Sequence, residues 1–186
     1  MNPGRERVPP LPPEERDERQ AALIQQAGGE LGVFTTLVRN PDVFGDFLPF
    51  GRRLLHDSSL QPRERELLIL RTAFRCRSGY EWSHHEVIGR RAGLTDDDLS
   101  ALVQEVADDP DPADPARTLL LRAADELVAD HVLADRTWAA LAATYPVPQI
   151  IEISVLVGEY AMLAGALNSL GVQIEPGYPQ PAWDET

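Results

Sequence analysis

No stretch of this chain alternates apolar and polar residues with the period of two that a half-buried strand needs, whereas helix starts and stops recur along its length. Glu14 to Ala27 reads as a polar helix that ends at Gly28-Gly29. Asn40-Pro41 supplies a cap and first turn for a segment reaching to Asp57, with Val43, Phe44, Phe47, Leu48, Leu54 and Leu55 at roughly helical spacing. Pro49 and Gly51 are expected to break or bend that segment.

The clearest start is "SLQPRERELLILRTAFRC". Pro62 suits a first turn, Glu64 and Glu66 suit the positive end of the dipole, and Leu67, Leu70 and Phe74 form a stripe. "RSGYEWSHHEVIGRRAGL" is a further helix closed by Gly93. "TDDDLSALVQEV" begins with Thr95 as cap and Asp98 at the capping-box position. After the Asp- and Pro-rich loop "DDPDPADP" come helices near Ala116–Asp130 and Asp135–Thr144, then a long apolar helix beyond Pro146 and Pro148. The fold class read from these patterns is all-α.

Composition narrows the function. The chain has 186 residues, is 43% hydrophobic and carries a net charge of -13, so it can build one packed domain but offers no basic face for nucleic acid. A single cysteine, Cys76, rules out an internal disulfide and fits a reducing cytoplasm. The first residues lack the apolar core of a signal peptide, and their prolines predict an extended arm over residues 1–18. A helical domain is expected over 19–175 and a Pro-rich tail over 176–186. The apolar run from Ile150 to Gly171 contains Glu152 and Glu159, which favours a buried helix over a membrane span.

The densest chemistry lies between Ser78 and Leu94. Ser78 and Glu81 have the S-x-x-E spacing of a capping box, a complete structural explanation for Glu81. Glu81 and His85 are also i,i+4 and share a face, so the carboxylate is a candidate to orient or polarise the imidazole. Glu66, one helix earlier, flanks an apolar face through Ile69, Leu70 and Ala73; its carboxyl is either partly desolvated or exposed in a first turn. Tyr80 and Trp82 are candidate pocket walls or plain core. Arg71, with Arg75 and Arg77, is a candidate for binding a substrate carboxylate, or pairs with surface acids. Adjacent His84 and His85 point about 100° apart on a helix and do not readily share one ion, so no metal is expected. Glu159, seven residues from Glu152 in the apolar last helix, needs a partner or a cavity.

The segments "RERELLILRTAF", "YEWSHHEVIGRRAGL" and "DDDL" closely resemble the carboxymuconolactone decarboxylase family, which includes the AhpD-type alkylhydroperoxidases. The resemblance covers about Phe44 to Val128, with "LVGEYAMLAGALNSLGV" and "VPPLPPEE" resembling a longer branch. It implies an AhpD-like helical bundle with an extended Pro-rich N-terminal arm. The peroxidase branch carries E-x11-C-x2-C-x3-H; here Glu66 and His85 match its ends, but Ser78 and Glu81 stand where the cysteines would be.

Cys76 lies two residues before the first slot without a partner thiol, so thiol-based peroxide reduction is not expected. The decarboxylase branch, without those cysteines, is similar in carrying one Glu four residues and another nineteen before the His. That resemblance assigns His85 as general acid/base, Glu81 as its orienter and Glu66 as a second proton-handling group. His84 falls outside the matched position and is expected near the site, beside substrate. Where related sequences read G-Q-Y-H-M, this chain has Gly158-Glu159-Tyr160-Ala161-Met162, which points to a substrate of its own and makes Glu159 a candidate substrate contact.

The resemblance thus implies a cofactor-free acid/base enzyme acting on a small carboxylated lactone or enolisable cyclic compound, by decarboxylation, isomerisation or cyclisation. It also implies a homo-oligomer with sites near subunit interfaces. The alternatives are an alkylhydroperoxidase-like redox protein and a non-catalytic helical oligomer that binds a ligand.

Overall fold

The computed structural model describes residues 5–104, 106, 111–181 and 183. The ends of the expected arm and tail, and part of the "DDPDPADP" loop, lie outside the described residues. Within them the chain is all-α, with nine α-helices: α1 (Glu18–Ala27), α2 (Gly32–Leu37), α3 (Pro41–His56), α4 (Pro62–Arg75), α5 (Gly79–Arg91), α6 (Asp96–Leu102), α7 (Pro115–Ala129), α8 (Asp135–Thr144) and α9 (Val147–Leu170).

α4 is the axis of the bundle. Leu67, Leu68, Ile69 and Leu70 are all fully buried, so the helix is enclosed on every side, by α5, α7 and α9. Leu120, Ala123 and Ala124 of α7 and Ile153, Leu156 and Val157 of α9 complete that core. Arg71, on the same helix, is also fully buried. Its guanidinium meets both carboxylate oxygens of Asp125 at 2.6 Å and donates to the carbonyls of Leu102 and Gln104, tying α4 to α7 and the end of α6. Asp98 completes the expected capping box with Thr95 and also receives Arg63 and Arg117.

Three elements differ from the sequence reading. The first helix starts at Glu18, after a single 3-10 turn at Pro13–Glu15, because Asp17 accepts from the Gln20 N–H while its own N–H donates to the Gln20 side chain. α3 runs unbroken through Pro49 and Gly51. Burial of Phe44 and Leu48 against Leu23 and Ile24, and of Leu54 in the main core, outweighs the roughly 3 kcal/mol that an interior proline costs. α2, "GVFTTL", has no helical signature of its own. It forms where Val33, Thr35 and Thr36 bury and where Glu175 accepts the Gly32 N–H at 2.6 Å.

Both flanking segments lie against the body. Arg7 and Val8 donate to the Leu170 carbonyl, Leu11 is buried, and a Cβ at Gly171 would collide with the Arg5 carbonyl. At the other end Trp183 packs edge-on against Phe74 and Trp82. α9, of 24 residues, is the one helix among the described residues long and apolar enough to cross a bilayer; here one face of it is buried against α4 and α7.

Candidate functional site

α5 enters the core through a tight turn in which Arg77 adopts φ 53° and the Ser78 N–H reaches back to the Ala73 carbonyl. That turn drives the first two turns of α5 inward, so Tyr80, Glu81, Trp82, Ser83, His84 and His85 are all buried. Tyr80, Glu81, His84 and His85 face a cavity of about 170 Å3, closed by α3 through Phe47, Leu48 and Gly51 and by α9 through Glu159 and Tyr160.

His85 and Glu66 form a close, buried pair: Nδ1 lies 2.7 Å from Glu66 Oε2, and Glu66 is fully buried. Burial opposes ionisation of Glu66, but the His85 imidazole and the Arg65 guanidinium outweigh it and hold the carboxyl below its ordinary range. An ionised Glu66 fixes the proton of His85 on Nδ1 and leaves Nε2 to the cavity. The Tyr160 ring stands edge-on to the imidazole, with centroids 5.1 Å apart.

Glu81 behaves otherwise. The capping box expected with Ser78 does not form: Ser78 caps α5 without a side-chain hydrogen bond, and both Glu81 oxygens are buried without partners. The orienting contact to His85 comes from Glu66, not Glu81. Burial pushes Glu81 up to about 8, with the nearby Ser78 hydroxyl opposing and Glu159 adding to the rise. The Ser78 hydroxyl favours the anion electrostatically yet completes no hydrogen bond with it. Glu159 is likewise pushed up by burial, to about 7, and its Oε2 has no partner. Its Oε1 lies 2.9 Å from where a Cβ on Gly51 would stand, so a side chain at position 51 would make the carboxyl move.

His84 belongs to a second cluster on the same wall. Its Nε2 lies 2.6 Å from Glu175 Oε2, its ring sits between Tyr80 and Tyr178, and the Tyr80 hydroxyl donates to Glu175 Oε1. The sequence reading named neither Glu175 nor Tyr178. No local pattern links Glu175 to a histidine 91 residues away; the usable signal was aromatic residues in an otherwise polar tail, which argue for a docked segment. Glu175→Ala is expected to cost about 2–3 kcal/mol, because it strips charge-assisted bonds from the Gly32 N–H, Tyr80 and His84. Denaturant unfolding measures that loss, and amide exchange should quicken selectively over residues 172–181.

Three candidates are not among the cavity walls: Glu66, which lies behind His85, and Trp82 and Arg71. Trp82 packs on Trp183 and donates to Glu86, and Arg71 spends its guanidinium on Asp125 and two carbonyls. Arg71 is thereby a structural residue of the α4–α7 contact, and it does not reach a ligand in this pocket. Among the described residues no group of three or more His, Cys, Asp or Glu is arranged to hold a metal ion.

The carboxymuconolactone decarboxylase family profile matches residues 41–126, the stretch that carries α3 to α7, including Glu66, Glu81 and His85. Over these residues the chain is similar to the carboxymuconolactone decarboxylase family. No curated protein matches the chain significantly. Solved structures do. A peroxidase-related protein with an alkylhydroperoxidase AhpD core from Ralstonia eutropha JMP134 is 23% identical with a TM-score of 0.68, over 89% of this chain and 87% of that one. A peroxidase-related protein from Silicibacter sp. TM1040 is 17% identical with a TM-score of 0.71, over 96% and 97%. A debrominase, Bmp8, in complex with 2,3,4-tribromopyrrole is 18% identical with a TM-score of 0.66, over 91% of each chain. At these identities the likeness establishes a shared AhpD-like bundle. Within the stretch that matches the family, α5 presents Glu81 and His85 to the cavity and α4 holds Glu66 behind His85.

Proposed function

We propose that the chain is an acid/base enzyme that works without a thiol, on a lactone or other small enolisable cyclic compound. One juxtaposition carries the reading: an unpartnered buried carboxyl, Glu81, shares an apolar cavity with an imidazole whose far nitrogen is held by ionised Glu66. His85 Nε2 takes a proton from a carbon next to a carbonyl, and the C–H electron pair passes to the carbonyl oxygen. Protonated Glu81 donates a hydrogen bond to that oxygen as its charge grows, in a buried, mostly apolar site where such a bond is strong. Return of the proton to a different carbon completes an isomerisation.

The likeness to peroxidase-related proteins also fits an alkylhydroperoxidase-like redox function, and the site's chemistry argues against it. Burial pushes the Cys76 thiol up to about 11, the Glu81 charge acts in the same direction, and Cys76 is not among the cavity walls. Proton NMR of a panel of cyclic ketones and lactones in heavy water tests the proposal. The wild-type protein should exchange the proton beside the carbonyl well above the buffer rate for at least one member; a panel that exchanges only at the buffer rate refutes it.

We also infer self-association through α9. Ile151, Val155, Gly158, Met162 and Gly165 are exposed in succession at helical spacing, an uncharged stripe along most of the helix. Light scattering should report an oligomer for the wild type and a monomer for the double variant Ile151→Glu, Met162→Glu. A monomeric wild type at micromolar concentration refutes this inference.

A further inference from the structure

Glu81 and Glu159 are both needed to describe the cavity, and the mechanism above uses only one of them. They come from different helices, are 2% and 6% exposed, and open on the same apolar space. Three of their four oxygens are buried without partners. Buried polar atoms in a native fold are nearly always satisfied, and those that are not commonly mark a place where a ligand supplies the missing group.

Among the described residues no cation pairs with them. His84 is engaged by Glu175, His85 and Arg65 by Glu66, and Arg52, at the mouth, donates to the Gln26 carbonyl. His56, the other basic group of the wall, is an exposed residue at the end of α3. Two neighbouring carboxyls in a buried, mostly apolar cavity resist ionisation, because each charge would be poorly solvated and would have no counter-ion beside it. Protonated, each offers an O–H donor.

We infer that the cavity is made for an uncharged, single-ring molecule bearing two carbonyl-type oxygens, one received by the Glu81 hydroxyl and the other by that of Glu159, and that it rejects carboxylates. Glu159 is then the specificity-determining residue of the site. A carboxylate ligand would bring a further negative charge beside two acids whose own carboxyls pair with no cation, while Arg52 and His56 stand exposed at the mouth. An ammonium ligand would first have to strip a proton from a buried acid. A neutral dicarbonyl meets both donors without moving a proton, and a space of about 170 Å3 suits a ring of that size. The inference rests on the acid/base reading for turnover, but its binding claim stands apart from it.

The groups facing this pair limit what else titrates. Tyr80 of α5, Tyr160 of α9 and Cys76 before α5 are all raised by burial and stay neutral near pH 7, and Glu66 of α4, beside Arg65, is held ionised. Burial lowers His84. Arg52 and His56 of α3 and His85 of α5 complete the surroundings, so single Glu→Gln variants are needed to isolate each acid.

Calorimetry on the full chain with three probes of equal ring size is the test: cyclohexane-1,4-dione, cyclohexylammonium and cyclohexanecarboxylate. With the acids at about 8 and about 7, measurements near pH 6 and pH 9 bracket both. Circular dichroism at each pH verifies the fold. The dione should bind at the lower pH and weaken about tenfold or more at the higher, as donors become anions. Glu81→Gln and Glu159→Gln should each keep dione binding and reduce its pH dependence, since an amide donates at either pH.

Tighter binding of cyclohexylammonium, strengthened at high pH and lost in the Gln variants, overturns the inference in favour of an organic cation. Carboxylate binding as tight as that of the dione overturns it, and so does the failure of all three at millimolar concentration. Deuterium exchange without a preference for the dione sinks this inference and leaves the enzyme reading intact. Dione binding with this pH dependence but no exchange does the reverse.

Discussion

His85→Ala should lower the rate of catalysed deuterium exchange by on the order of a thousandfold, the usual loss when a positioned general base is removed. That corresponds to about 4 kcal/mol of barrier. Substrate affinity should change little, because the imidazole meets the ligand at one small contact. Glu66→Gln keeps a side chain of the same size beside Nδ1 but removes the charge that fixes the proton there, so a smaller loss, about a hundredfold, is expected. The ordering is diagnostic. If His85→Ala retains exchange within a few fold of the wild type, the imidazole is no base and the cavity serves another purpose.

The second large effect concerns stability. Glu81 has a folded-state value near 8 against 4.5 when unfolded, so the native protein holds this proton more tightly than the unfolded chain does. Below 4.5 both states are protonated and ionisation of Glu81 costs nothing. As pH rises from there towards 8 the unfolded chain releases its proton first, and stability falls by about 1.4 kcal/mol per unit crossed; above the folded value the loss is complete. Glu81→Gln removes the titration. Urea unfolding should therefore show the variant gaining a few kcal/mol over the wild type at pH 9 and far less at pH 5. An equal difference at both ends would mean that the carboxyl is not buried as a proton-bearing acid.

Much of the fold was legible because its signals are local. Pro62, the Thr95–Asp98 box and the span Asp135–Thr144 each encode a helix within a few residues, and each appears where the sequence places it. The departures at α2 and at Pro49 arise where burial overrides propensity, which no short window reveals. In the site the spacing of Glu66, Glu81 and His85 was informative, but it did not say which acid touches the imidazole. The orientation of α5 against α4 decides that, and it is a packing outcome. Arg71 shows the same limit: its helical spacing fitted a ligand-binding guanidinium, while its partner Asp125 lies 54 residues on. Glu175 and Tyr178 were missed because a tail has no periodicity to read, and only its aromatic residues hint that it docks.

Gly51 has a consequence for how this protein can diversify. Its bare α-carbon leaves the room that the Glu159 carboxyl occupies, although the two residues stand more than a hundred positions apart in the chain. Any side chain at 51 forces the acid to shift, and shortening the acid frees 51 to accept one. The two positions are therefore coupled through space, and a change at one alters the room available to the other.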